Sequence, residues 1–278
     1  MELSPLPWAL CLSLELASSL TLPSGMVRVP AATIELGSSV DDLILAANFC
    51  NRLSGRPACQ PEDFALERRD ERASVSSFLL DRTEVALGDY QRCEEVGRCS
   101  PHHMPSALLE GPEPETLPVT MVSLDQAQAY CEYLGARLPS EEEFELAARG
   151  PGARPYPWGR LFHGGRVNGG TEAPQHTRSG DGYELLAPVR AFPAGRTPLG
   201  ILQLAGNAAE WTRSRERDRA GQPTGRVLVR GGHFASPPWQ LRAAHREAVD
   251  PNERRPTLGF RCARSENGDP SPAPAGPP

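Results

Sequence analysis

The chain has no lysine: all 29 basic residues among its 278 are arginine. That absence excludes Schiff-base lysine chemistry and an intact Walker phosphate loop, both of which need the amine. Acids number 35, giving a net charge of −6, so the basic face that marks a nucleic-acid partner is not indicated. No C-x2–4-C pair and no H-E-x-x-H run occurs, which excludes zinc and iron sites of recognised spacing. Long apolar runs are also missing. Trp8–Leu22 is the nearest approach, but it is interrupted by Glu15 and is too short and polar for a membrane span. No arginine precedes it, so residues 1–25 read as a weak leader rather than a standard signal peptide. There is no internal repeat.

What is abundant is proline (29) and glycine (26), a composition of turns and loops. The apolar share of 39% and length of 278 residues suit a globular chain with a sizeable core. Seven cysteines fall into two near pairs, Cys50 with Cys59 and Cys93 with Cys99, a distant couple, Cys131 and Cys262, and a remainder, Cys11. If Cys11 belongs to a removed leader, six remain to pair, which argues for an oxidising compartment and export. The competing reading is free buried thiols in a cytoplasmic protein, because connectivity cannot be read from sequence.

Along the chain, Met26–Gly37 alternates and ends in glycine, as a strand entering a turn does. Residues 38–72 read as a loop insertion closed by Cys50–Cys59. Ser74–Leu80 reads as a strand. Leu87, Tyr90, Cys93 and Val96 describe a helix ended by Gly97, and a Cys93–Cys99 bridge would staple its end. Ser123 with Gln126 and Ser140 with Glu143 are two capping boxes, each opening a short helix. Glu141–Glu143 is therefore a helix start rather than an acidic binding face. Residues 150–260 hold no long helix, Leu258–Cys262 reads as a strand, and the Pro-rich tail, 265–278, is expected to be disordered. His102-His103, in a Pro-rich loop, reads as a solvated pair. The expected fold class is α+β: short helices and irregular loops over a small antiparallel sheet.

Several blocks together carry a resemblance. They are Pro118–Gly150 (PVTMVSLDQAQAYCEYLGARLPSEEEFELAARG), YPWG at Tyr156–Gly159, APVRAFP at Ala187–Pro193, LAGNAAEWT at Leu204–Thr212, RVLVRGGHF at Arg226–Phe234 and LGFRCAR at Leu258–Arg264. With MVRVPAATIELGS and FLLDRTEV before them, this order resembles the formylglycine-generating-enzyme, or sulfatase-modifying-factor, family over residues 26–264. The resemblance implies a fold related to the C-type lectins, with little regular secondary structure. It implies a disulfide between Cys131 and Cys262. It also implies two calcium sites, one at Asn168, Gly169, Asp181 and Tyr183, the other at Gln203, Gly206, Ala208 and Glu210. Gln203 stands where the family has Asn.

The family's oxidase needs two cysteines shortly after Gly231-Gly232, where thiolates hold copper(I). Those positions are Ser236 and Leu241, and the only cysteine between Cys99 and Cys262 is Cys131. Copper is therefore not expected, and neither is cysteine oxidation by that route. His233, His245, Ser236, Trp239 and Arg246 flank the place and are the candidate groove residues. A Ser236–His233 nucleophile–base couple at i, i+3 is weak evidence for catalysis. The sequence points to an exported, calcium-stabilised module that binds a protein, peptide or small-molecule ligand. The alternative is an enzyme with different chemistry on the same scaffold.

Overall fold

The computed structural model describes residues 25–55, 57–67, 71–169, 181–218 and 220–266. The expected leader and Pro-rich tail, and Cys11, lie outside the described residues except for Gly25, Ser265 and Glu266.

The alternating N-terminal run is two strands, Met26–Val29 (β1) and Ala32–Glu35 (β2), parted beside Pro30, which cannot donate to a ladder. The segment read as one strand at 74–80 is also two. Arg72–Val75 (β3) pairs with β2, and Phe78–Asp81 (β4) pairs with β1. Val75 and Phe78 are both buried yet three residues apart, which breaks the two-residue period and forces a change of sheet.

The largest sheet has four strands. Ala209–Arg217 (β5) pairs with Pro223–Arg230 (β6), which pairs with Arg246–Val249 (β7). Leu258–Gly259 (β8) lies parallel to β5, and Ala263–Ser265 (β9) closes the other edge of β4. The expected strand 258–262 is therefore confined to its first two residues, and Phe260–Cys262 crosses the core between two sheets. Among the described residues there are three small sheets with one parallel pair, not a single antiparallel sheet.

Four α-helices are present among the described residues. Leu87–Glu95 (α2), Leu124–Tyr133 (α3) and Glu141–Arg149 (α4) stand where the sequence places them, and both expected capping boxes form. Gly97 follows the Val96 cap of α2 with φ +69°. Val40–Ser54 (α1) corrects the reading of 38–72 as loop. It is capped by Ser39 with Asp42 and ends at Gly55 with φ +67°. Its buried stripe is Leu43, Ala46, Ala47 and Cys50, helical in spacing but half alanine, so its periodicity is faint.

All three disulfides form: Cys50–Cys59, Cys93–Cys99 and Cys131–Cys262, with Cα separations of 6.1, 5.3 and 5.5 Å. The free-thiol reading is thereby corrected for these six. Cys131–Cys262 ties α3 to the chain's end inside the main core, where Tyr90, Tyr130 and Phe260 make mutual ring contacts. His102 is not solvated: its side chain is 5% exposed and its Nδ1 lies 2.8 Å from Glu94, because α2 offers a carboxylate there. Trp211 is fully buried, with Nε1 donating to the Val122 carbonyl at 3.0 Å. Among the described residues no helix is long and apolar enough to cross a membrane.

Candidate functional site

Gly231-Gly232 ends β6 with φ +93° and +67°. A Cβ on Gly232 would stand 2.8 Å from the Gln240 carbonyl and 2.9 Å from Leu241 Cδ2, so only glycine lets the 233–241 loop fold back this tightly. That loop and β7 bring four candidate residues together. Ser236, His233, His245 and Arg246 line one cavity of about 190 Å³. Trp239 does not line it. It packs instead beside Leu43, Ala46, Cys50 and Phe64 of the 38–72 segment, because that segment offers the larger apolar surface.

The two positions that would hold copper are both buried. Leu241 is fully buried against Tyr156, Val167 and Ala205. Ser236 is 2% exposed, and its Oγ accepts from the His233 backbone N–H at 3.1 Å. The His233 ring does not serve as its base. His233 Nδ1 accepts from the Ala235 N–H at 3.2 Å. Burial pulls the His233 pKa down to about 4, so the ring is neutral at physiological pH. A neutral ring could accept a proton, so it is the geometry that separates the pair: Ser236 Oγ is held by the main chain and Nδ1 of His233 is taken by Ala235.

Two residues that sequence reasoning missed complete the cavity. The Pro61–Glu67 turn lays Phe64 and Glu67 along the wall. Glu67 is 1% exposed and accepts from Arg242 Nη2 at 2.6 and 2.8 Å and from Ser38 Oγ at 3.0 Å. It also lies 3.1 Å from His245 Nδ1. Burial works to raise the Glu67 carboxyl, but the bonds from His245 and Arg242 outweigh it and hold it below the usual range. Arg246 is likewise engaged, with Glu141 at 2.8 and 3.1 Å and the Leu66 carbonyl at 2.6 Å. The insertion is therefore latched across the groove by buried charge. Glu67 and Arg242 are 175 residues apart, and no local pattern announces such a pair.

The calcium sets differ in what their residues can do. In the first set, Asn168 Nδ2 donates to the Leu185 carbonyl and to Asn207 Oδ1, both at 2.8 Å. These bonds fix the amide's orientation and leave Asn168 Oδ1 buried without a hydrogen-bond partner. Asp181 accepts the Gly169 and Tyr183 N–H groups at 3.0 Å, which draws Asp181, Gly169 and Tyr183 together beside Asn168. An orphaned buried amide oxygen, with the Asp181 carboxylate held on the neighbouring Gly169, offers oxygen donors of the kind a hard cation takes.

The second set does not fit. Glu210 places both oxygens on Arg261, at 2.6 and 2.7 Å, and neither side chain has any exposure. Gln203 turns its amide Nε2 toward the Ala191 carbonyl at 3.4 Å. Gly206 makes its close approach to the Asn168 backbone instead, where a Cβ would stand 2.3 Å from the carbonyl oxygen. The cation beside Glu210 is a guanidinium. Around it Glu84 is buried as well, accepting from Asn207 Nδ2 at 3.0 and 3.2 Å. Burial, with Glu210 beside it, pushes the Glu84 carboxyl well above its ordinary range.

Comparison with known proteins accords with this geometry. Residues 16–266 match the sulfatase-modifying factor enzyme 1-like domain. The inactive C-alpha-formylglycine-generating enzyme 2 of Mus musculus is 41% identical over 158 residues, 54% of this chain and 49% of that protein. The formylglycine-generating enzyme of Bos taurus is 35% identical over 178 residues, 55% of this chain and 47% of that protein. The chain thus spans about half the length of the curated relatives it matches. Among solved structures, PvdO from Pseudomonas aeruginosa superposes with a TM-score of 0.65 at 22% identity, covering 86% of this chain and 94% of that one. With its ordered motifs and fold both accounted for, the chain belongs to the sulfatase-modifying factor enzyme 1-like family.

Proposed function

We propose that this chain is a non-oxidising member of its family: an exported, calcium-stabilised module that binds a protein, peptide or small-molecule ligand. The observation that carries the reading is the pair of residues at the copper positions. A buried leucine and a main-chain-held serine supply no thiolate to bind copper(I) or to pass electrons from a substrate cysteine. The name "inactive" borne by the 41%-identical mouse relative supports the same reading. Export is supported by the three disulfides, which persist in oxidising compartments. Calcium is proposed for the first set alone. Asn168, Gly169, Asp181 and Tyr183 would hold it, and its role there is to neutralise buried oxygen and pin the loop.

The test has two parts. Purified protein loaded with copper(I) is offered a cysteine-containing peptide, and the product is read by mass spectrometry. No formylglycine is expected, and conversion above the copper blank overturns the non-oxidising reading. Melting temperature is then followed against calcium concentration, since a ligand that binds the native state raises it. A rise that Asp181→Asn abolishes supports the calcium assignment, and a flat response removes it.

A further inference from the structure

A second and larger cavity, about 470 Å³, lies on the other side of the insertion, between α1 and the loop that runs from Tyr156 to Phe162. None of Ser236, His233 and His245 borders it. Its wall is aromatic. Phe49 and Phe162 have ring centroids 6.1 Å apart, and Phe162 and Tyr156 are 5.7 Å apart. At its mouth Leu45 and Leu161 are 65% and 81% exposed, a large apolar surface left to water.

The charged groups of the cavity are mostly basic. Arg52, Arg149, Arg160 and Arg242 line it, against a single acid, Asp42. Asp42 directs its carboxylate to the N–H and hydroxyl of Ser39 at the start of α1. Arg242 is neutralised by Glu67 and Arg149 by Glu145. Arg149 nevertheless keeps its Nε buried with no hydrogen-bond partner. Arg52 lies over the Phe49 ring, 5.4 Å from its centroid. Neither Arg52 nor Arg160 has a carboxylate partner among the described residues. Free cations concentrated beside an apolar pocket, in a chain whose net charge is −6, form a complementary surface for a negative head on a greasy body.

We propose that this cavity binds a small amphipathic carboxylate, its hydrocarbon body against Phe49, Tyr156 and Phe162 and its head toward Arg52 and Arg160. Arginine suits the role because its planar fork matches a carboxylate and stays charged at any physiological pH. The inference is independent of whether the other cavity retains catalysis. It concerns residues that the insertion and the Tyr156–Phe162 loop bring together, and not the copper positions.

The test is isothermal titration of the full chain with decanoate below its micellar concentration, beside decylamine as the cationic control. Saturable 1:1 binding of decanoate and none of decylamine is expected. Arg52→Glu with Arg160→Glu should weaken decanoate at least about tenfold. The melting temperature should hold, because both side chains are exposed. Leu161→Asp, at the mouth, should weaken it as well, and Arg98→Glu on a distant surface should not. Equal binding of amine and carboxylate, no saturable binding, or full affinity in the arginine and Leu161 variants overturns the proposal.

Discussion

Two buried charge clusters, one in the scaffold and one over the groove, differ in which sign is in excess. In the scaffold, Asp81, Glu84 and Glu210 gather around a single guanidinium, Arg261. Over the groove, a single carboxylate, Glu67, meets Arg242 and His245. The carboxyls move in opposite directions accordingly. Burial pushes Asp81 up to about 6 and raises Glu84 and Glu210, whereas the surplus of donors holds Glu67 low despite its burial. Burial alone does not set a carboxyl's protonation. The balance of burial against the opposite charges and donors around it does. The scaffold cluster is anchored on strands β4 and β5 through Asp81 and Glu210, with Arg261 on the segment between β8 and β9, and the groove cluster holds only an insertion. The first should govern global stability and the second local opening.

The sharpest way to break the comparison is Arg261→Met, which leaves Glu210 buried without its partner. The expected loss is about 3–5 kcal/mol in denaturant unfolding, the usual consequence of orphaning a buried charge. A loss below about 1 kcal/mol would mean that the cluster sheds its charge by protonation instead. Next is the staple. Cys131→Ala with Cys262→Ala opens a loop of sequence separation 131. Chain entropy gives that bridge about 4–5 kcal/mol as an upper bound, with real bridges often delivering less.

Third is His233. Its folded pKa of about 4 lies below the ordinary 6.5, so the unfolded chain takes up the proton first as pH falls. The neutral ring's contribution is complete above pH 6.5 and is lost between there and 4. By linkage it is at most about 3 kcal/mol. His233→Gln should flatten the stability–pH profile across that window.

Fourth, Glu67→Gln should loosen the groove cover. Its amide cannot neutralise Arg242, and the expected effect is about 2 kcal/mol. The readout is amide exchange rising in Val40–Ser54 while Ala209–Arg217 stays protected. Equal loss in both regions would erase the distinction between local and global clusters. Smallest is Ser39→Ala, which removes the cap of α1 at a cost of about 1 kcal/mol, read by the same exchange.

Much of the scaffold was legible in the chain. The capping boxes at Ser123 and Ser140 place α3 and α4, since a side chain three residues from its partner needs no tertiary help. The alternation of Met26–Gly37 announces strands for the same reason. The α1 helix was not legible, because alanines on its buried face blur the helical period, and its partner surface comes from residues around 239. Of the candidate groove residues, Ser236, His233, His245 and Arg246 do converge, which follows from their nearness in sequence around the Gly231-Gly232 turn. Trp239 was assigned by the same nearness and faces elsewhere. A loop's direction depends on what it packs against.

Local sequence decides which residues stand at 236 and 241 and which short elements form. Without a cysteine at 236 or 241 there is no thiolate pair, and capping, alternation and glycine at positive φ act within a few residues of their cause. Only the tertiary structure decided where charge is buried and which cavities exist. Glu67 with Arg242, Glu210 with Arg261 and Glu145 with Arg230 are brought together from distant parts of the chain. Their protonation and pairing depend on solvent exclusion that no local window contains.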